Sequence, residues 1–407
     1  MYFQKFSGFR ILVMGTAFLL SSGGLIAQTT SSQSDPLSVL KADVQRRADR
    51  QIYPIAGMKS EDAKEALSNL KSIGGDDWAA AWSAVGERYS SLAERSSQQT
   101  PVDQKALKEN LRQAWLHYMF AAWPYQNTPG KRTAYLKSIE VFKKYGKTFD
   151  PPMEVVGIPF EGKVINAYVQ LPKGVTKPPV VISLGGLDEY KEYVAEYYND
   201  TFMNAKLGVI AVDMPGTGES PVKMDLQAER TISAVINYLR QRTDVNGDRL
   251  AIQGVSAGGY WSSLMSYTER NRLRAAVVWG GPTHGYFSRD WQSKSFSTQE
   301  YLFGLKEARI GVWGFENEQQ FLDGISKFSL QSRNLLSQPS TKTLIVNGEK
   351  DSQVPIDDLH ILARSGTPKY TWVNPVGGHI GRSSDISEVE ILKTVITPWL
   401  RDQLSRD

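Results

Sequence analysis

The 407-residue sequence contains no cysteine. Disulfides, thiolate nucleophiles and cysteine-ligated metal sites are therefore excluded. Histidine is scarce, with only four residues, His117, His284, His360 and His379. They are too scattered for a transition-metal site, so no metal and no other cofactor is expected. Charge of one sign is also lacking. The 47 basic and 43 acidic residues leave a net +4, with no basic run of the kind that holds nucleic acid. Beyond the N-terminus no apolar stretch approaches the ~20 residues that span a bilayer, so no integral span is expected after signal removal. No internal repeat is present.

The N-terminus reads as a secretory signal peptide over 1–27. Lys5 and Arg10 precede the apolar stretch Ile11 to Leu20, and mostly small residues lead to Ala27. Leu25 departs from the small side chain preferred at its place, and an uncleaved anchor is the competing reading. The expected location is outside the cytoplasm, in a bacterial periplasm or secreted, where a chain without thiols is ordinary.

A polar lead at 28–35 is followed by a helical region at 36–150. Trp78, Trp82, Val85, Tyr89 and Leu92 recur at helical spacing and predict a helix over Asp77 to Arg95. Further helices are expected from Val102 to Trp123, stopped by Pro124, and from Lys131 to Tyr145. After Pro151-Pro152 the pattern changes. Glu154 to Pro159 and Lys163 to Leu171 suggest a hairpin. Val180 to Leu184, Gly208 to Asp213, Leu250 to Gly254, Ala275 to Trp279, Thr343 to Val346 and Tyr370 to Val373 read as strands. Several are continuous apolar runs separated by helical segments, as parallel strands covered on both faces require. The expected fold is α/β over 151–407, with a lid-like insertion at about 282–338. That insertion is rich in aromatics, including Tyr286 and Trp291, which suit a pocket wall.

Gly254-Val255-Ser256-Ala257-Gly258 is a G-x-S-x-G sequence that follows an apolar strand and precedes a helical run. This is the context of a nucleophile elbow. The tight turn lifts the Ser256 hydroxyl clear of the sheet and aims the Ala257 N–H at a developing oxyanion. A serine hydroxyl needs a base, and in this arrangement acid and histidine follow the serine in that order. His117 and His284 come too early, and His360 lies in a helical run. His379 follows the last predicted strand within Gly377-Gly378-His379-Ile380-Gly381 and is the expected base. The acid belongs in the loop after Thr343 to Val346. Asp351 is preferred and Glu349 is its rival, while Asp357 and Asp358 read as helix N-terminal residues. The second oxyanion donor is expected from Gly186 or Leu187, after the strand Val180 to Leu184. Asp213 to Ser220 is turn-rich but lacks the lysine of a phosphate loop, and it reads as structural.

Gly185-Gly186-Leu187-Asp188 with Lys191-Glu192, the elbow, Trp279-Gly280-Gly281, Asp351 with Val354-Pro355, and Gly377-Gly378-His379 together resemble one family. It is the group of α/β-hydrolases with an N-terminal helical cap domain. This group includes esterases similar to the fermentation-respiration switch protein, 2,6-dihydroxypseudooxynicotine hydrolase and fungal polyketide-shortening hydrolases. The resemblance covers about residues 105–403. It implies an α/β-hydrolase fold, a helical cap over the active site and a Ser256–His379–Asp351 triad. Some relatives cleave esters and others C–C bonds beside an aryl ketone. The nicotine-degrading member carries a pocket carboxylate shortly after Trp-Gly-Gly. Here no acid appears until Asp290, which argues against that route, and His284 becomes a candidate substrate contact.

The leading expectation is an exported esterase acting on a small apolar or aromatic carbonyl substrate, with a homodimer left open. The alternatives are a C–C hydrolase, a peptidase and a catalytically inactive binding protein. The peptidase rests on the similarity of Gly-x-Ser-x-Gly-Gly-Tyr to the prolyl oligopeptidase family, which usually carries a β-propeller.

Overall fold

A computed structural model describes residues 35–298 and 300–405. The expected signal segment lies outside the described residues. Five helices come first: α1 (Pro36–Asp49), α2 (Ser60–Asn69), α3 (Gly75–Gln98), α4 (Gln104–Ala122) and α5 (Pro129–Gly146). Helix α4 starts later than the apolar pattern suggests because the Asp103 side chain caps it, accepting the Ala106 N–H. Helix α5 starts earlier because Thr128 caps it and Pro129 fits its first turn. Trp78, Trp82, Val85 and Tyr89 of α3 are buried. Trp78 packs edge-on to Phe120 of α4 at 5.0 Å.

The rest of the chain winds into one eight-stranded sheet. Its strands are β1 (Glu154–Phe160), β2 (Lys163–Gln170), β3 (Val180–Leu184), β4 (Gly208–Val212), β5 (Leu250–Val255), β6 (Ala275–Trp279), β7 (Lys342–Gly348) and β8 (Tyr370–Asn374), in the order β1-β2-β4-β3-β5-β6-β7-β8. The β1–β2 hairpin joins β4 antiparallel, and every other pairing is parallel. Alternate residues of the central strands serve opposite faces, the period-2 rule of a pleated strand. Val181, Val209, Ala251 and Val277 pack in a core shared with α1–α5 and the C-terminal helix Thr397–Ser405. Val180, Ile182, Ile210 and Ile252 pack on the other face of the sheet, in a core shared with helices Arg230–Gln241 and Ala257–Thr268.

Crossovers α6 (Lys191–Tyr197), α7 (Asn199–Asn204), α8 (Arg230–Gln241) and α9 (Ala257–Thr268) link the central strands. The Asp213–Ser220 loop is held by charge. Lys191, fully buried, sits 2.8 Å from Asp213, 2.8 Å from Glu219 and 2.9 Å from Glu192. Burial disfavours its ammonium, but Asp213 and Glu192 outweigh that and hold its pKa well above the usual lysine value.

The segment after β6 forms short helices at Arg289–Ser295, Leu305–Val312 and Glu318–Gly324. Most of its aromatics pack on one another and on Tyr260 of α9, extending the core on that face of the sheet. Trp313 lies 5.2 Å from both Phe287 and Phe328. Phe303 instead reaches the N-terminal helices, 4.7 Å from Trp78. No helix among the described residues is long and apolar enough to cross a membrane.

Candidate active site

Ser256 closes β5 and opens α9 with φ 52° and ψ −119°. This is a positive-φ conformation that non-glycine residues rarely adopt and that marks strain at functional turns. The flanking glycines are demanded by backbone proximity. A Cβ on Gly254 would lie 2.0 Å from the Gly258 carbonyl oxygen, and one on Gly258 would lie 2.2 Å from that of Gly185. The Ser256 N–H is anchored on the Trp279 carbonyl at 2.7 Å.

His379 follows β8. Its Nε2 lies 2.8 Å from Ser256 Oγ, and its Nδ1 lies 2.8 Å from Asp351 Oδ2. Asp351 is held in turn. Its Oδ1 accepts the N–H groups of Gln353 and Val354 at 2.8 and 2.9 Å, and its Oδ2 accepts Asn347 Nδ2 at 2.9 Å. An imidazole bonded to a carboxylate through Nδ1 presents Nε2 as an acceptor to the hydroxyl. The geometry is that of a serine readied to lose its proton to a base. Glu349, the rival acid, is exposed.

Two features hold the histidine loop that motif reading passed over. Trp279 Nε1 donates to the Ile380 carbonyl at 2.6 Å, which gives the Trp-Gly-Gly sequence a physical role. Glu300 Oε1 accepts the His379 N–H at 2.9 Å. Nothing local to Glu300 in the sequence signals this, since its partner lies 79 positions away. Asp358 also exceeds the dipole role read for it. Its buried carboxylate accepts the N–H groups of Thr283 and Gly285 at 2.7 and 2.6 Å, pinning the loop after Trp-Gly-Gly. Burial nevertheless pushes its pKa up.

A narrow cavity of about 40 Å³ opens on Ser256 and His379. Gly186, Leu187 and Ala257, the residues expected to supply the oxyanion donors, all line it, as does Tyr286. The structure does not bring the other two expected substrate contacts into it. His284 Nδ1 pairs with Ser329 Oγ at 2.8 Å, and Trp291 Nε1 donates to the Gln353 carbonyl at 3.1 Å. Each ring is thus committed to the protein's own polar groups. Asp290 is exposed and lies outside the cavity, and the first acid after Trp-Gly-Gly to line it is Glu300. The wall is also more polar than an aromatic insertion suggests, because it includes Asp188, Glu189, Arg309 and Arg382. Asp188 accepts Trp123 Nε1 from the N-terminal helical region and the Tyr301 hydroxyl, both at 2.7 Å. Burial raises its pKa even so. Among the described residues no cluster of His, Asp or Glu could hold a metal.

A mostly parallel eight-stranded sheet flanked by helices, with a strained serine between β5 and α9, is the architecture of an α/β-hydrolase. The chain belongs to the FrsA-like esterase family, whose model matches residues 52–373. The match takes in Ser256 and Asp351 and ends before His379. The sequence is 24% identical over 276 residues to Esterase FrsA of Photobacterium profundum, covering 67% of this chain and 64% of that protein. It is 27% identical over 228 residues to 2,6-dihydropseudooxynicotine hydrolase of Paenarthrobacter nicotinovorans, covering 54% of this chain and 57% of that one. Both matches thus span less than two thirds of the relative. The crystal structure of 2,6-dihydroxy-pseudo-oxynicotine hydrolase superposes with a TM-score of 0.71 at 22% identity, covering 90% of this chain and 96% of that one. This likeness extends over the N-terminal helices as well as the sheet. The described N-terminal region is helical and carries no β-propeller, so the feature that usually accompanies the peptidase family is missing.

Proposed function

We propose that the protein is an exported serine esterase in which Ser256 attacks a carbonyl carbon, His379 takes and returns the proton, and Asp351 steadies the imidazolium. The reading is carried by the hydrogen-bonded chain from Ser256 Oγ through His379 to Asp351, with both links at 2.8 Å. As Ser256 Oγ bonds to the carbonyl carbon, its proton passes to His379 Nε2 and the carbonyl π pair moves onto oxygen. The N–H of Ala257, at the start of α9, and one from Gly186 or Leu187 face that oxygen in this reading. Collapse expels the leaving alcohol, protonated by His379, and water then releases the acyl group by the same steps. Residues 36–150 act as a cap and 151–407 as the catalytic domain. The small cavity favours a compact acyl group. Export is supported by the Lys5/Arg10, Ile11 to Leu20 and Ala27 pattern.

The test is labelling by a fluorophosphonate probe together with turnover of short-chain 4-nitrophenyl esters. We expect adduct on Ser256 and a loss of at least ~10⁴-fold in kcat for Ser256→Ala. Full ester turnover by that variant sinks the proposal.

A further inference from the structure

The mechanism above leaves one group of the cavity unused. Glu189 lines the same cavity as Ser256 and is only 6% exposed. Its Oε2 is buried and has no hydrogen-bond partner among the described residues. A buried carboxyl oxygen without a partner is costly to keep. Its position is unusual too. A Cβ built on Gly186 would lie 3.3 Å from Ser256 Cβ and 3.6 Å from Glu189 Oε2. The orphaned oxygen therefore borders the backbone strip from which an oxyanion donor is expected. The turn is tight, since a Cβ on Gly185 would lie 1.9 Å from the Glu189 carbonyl oxygen.

The surroundings determine the charge state. Burial comes first, and the carboxylates of Glu388 and Asp188 add to it. Together they push the Glu189 pKa well above the usual range, against the opposing pull of Arg382 and the Gly186 N–H. Arg382 is shared with Glu388, 3.5 Å away. Tyr53, Tyr193 and Tyr198 also face this group. The other cavity carboxylates have donors. Asp188 has Trp123 and Tyr301, and Glu300 has the N–H groups of His379 and Ser352. Of the carboxylates that line the cavity, Glu189 alone has a buried side-chain oxygen with no hydrogen-bond partner among the described residues. An ionised carboxylate here would compete for the Gly186 N–H and repel a developing oxyanion. A neutral acid would do the reverse, as an apolar site can make a carboxylic acid serve as an oxyanion donor.

We propose that Glu189 is a further catalytic residue whose carboxylic acid O–H donates a hydrogen bond to the substrate's carbonyl oxygen as Ser256 attacks. The proton stays on Glu189 throughout, and no bond beyond those of the acylation step forms or breaks. The inference rests on Ser256 being the nucleophile.

Three proteins test it: wild type, Glu189→Gln and Glu189→Leu, each checked for fold by circular dichroism and for Ser256 labelling by fluorophosphonate. Removing an oxyanion donor costs roughly 10²–10³-fold in kcat. Glu189→Leu is expected to lose that much with little change in KM, and to lose affinity for a trifluoromethyl ketone by the same factor. Glu189→Gln keeps a neutral N–H donor and is expected within about tenfold of wild type, on the same principle. It is also expected to lack the alkaline decline in kcat that ionisation of Glu189 produces in wild type. Labelled, folded variants that match wild type in kcat overturn the inference, as does Gln no better than Leu. Should Leu not fold, coincident alkaline limbs for wild type and Gln overturn it. Absence of Ser256 labelling in wild type overturns the nucleophile reading instead, so the two failures are distinct.

Discussion

The carboxylate of Glu300 bridges the two loops that carry the histidine and the acid. One oxygen accepts the His379 N–H at 2.9 Å and the other accepts the Ser352 N–H at 3.0 Å. Ser352 adjoins Asp351, so one side chain sets the spacing of both partners of Ser256. Removing it leaves two loop N–H groups unpaired and frees the imidazole to drift. Displacement on the scale of 1 Å can cost about 10²-fold. Glu300→Ala is expected to lower kcat by about 10- to 10²-fold on that basis, with KM changed less. Steady-state kinetics on a 4-nitrophenyl ester measure it, and an unchanged kcat removes Glu300 from the positioning role.

Two glycines near Ser256 predict opposite kinds of damage. A methyl on Gly258 would sit 2.2 Å from the Gly185 carbonyl oxygen, whereas one on Gly186 would sit 3.3 Å from Ser256 Cβ. The first contact forces backbone to move, and overpacking of this kind costs about 3 kcal/mol. Gly258→Ala is therefore expected to show a clearly lower denaturation midpoint in urea. Gly186→Ala is expected to keep its midpoint and lose roughly 10-fold or more in kcat, because it crowds the oxyanion side. Equal midpoints for the two variants contradict the steric argument.

Lys191 is the one cation shared by three carboxylates, of which Asp213 and Glu192 are buried and Glu219 is partly exposed. Removing one member of a buried charge network typically costs about 3–5 kcal/mol, because the remaining charges stay buried. Lys191→Met is expected to lose that much stability in urea denaturation. A loss below about 1 kcal/mol, the value of an exposed pair, means that the network is not closed to water.

His117 supplies a pH dependence. It lies fully buried between Trp82 and Tyr89, with Nδ1 2.7 Å from the Gln113 carbonyl, which requires that nitrogen to carry its proton. Burial lowers its pKa to about 4, whereas an unfolded histidine titrates near ~6.5. The unfolded chain therefore binds the extra proton first. The stability derived from keeping the ring neutral is complete above pH ~6.5 and falls away as pH drops towards 4. The span corresponds to about 3 kcal/mol. His117→Phe is expected to flatten this part of the stability–pH curve, measured by urea unfolding at about pH 7, above the range in which His117 titrates, and at about pH 4.5, near its lower end. Parallel curves for the two proteins rule His117 out as the source.

Much of this was legible in order along the chain, because parallel strands buried on both faces are short apolar runs with sharp ends. Val180 to Leu184 and Ala275 to Trp279 coincide with β3 and β6 to the residue. That Ser256, Asp351 and His379 would come together was legible for a related reason, since the order of strands limits which loop can reach which. Residues that act across the fold left no such trace. Glu300 stands in a segment without periodicity, and Glu189 looks like any surface acid after a Gly-Gly turn. The aromatics after β6 misled by composition alone. Large rings signal burial, but not whether they face a cavity or one another, and here Phe287, Trp313 and Phe328 pack on one another. Likewise His284 and Trp291 found fixed partners in Ser329 and Gln353.

The indole of Trp123 donates to Asp188, the neighbour of Leu187 in the loop after β3. That bond bears on modularity. The sheet is no free-standing unit to which any set of N-terminal helices could be fitted. A transplanted helical region would have to bring a donor to the same spot, or leave Asp188 with Tyr301 as its remaining donor beside the cavity that holds Ser256. Swapping whole helical regions between relatives is thus constrained at this hydrogen bond as well as at contacts such as the Arg112–Glu196 ion pair, and chimaeras that preserve them are the ones to build first.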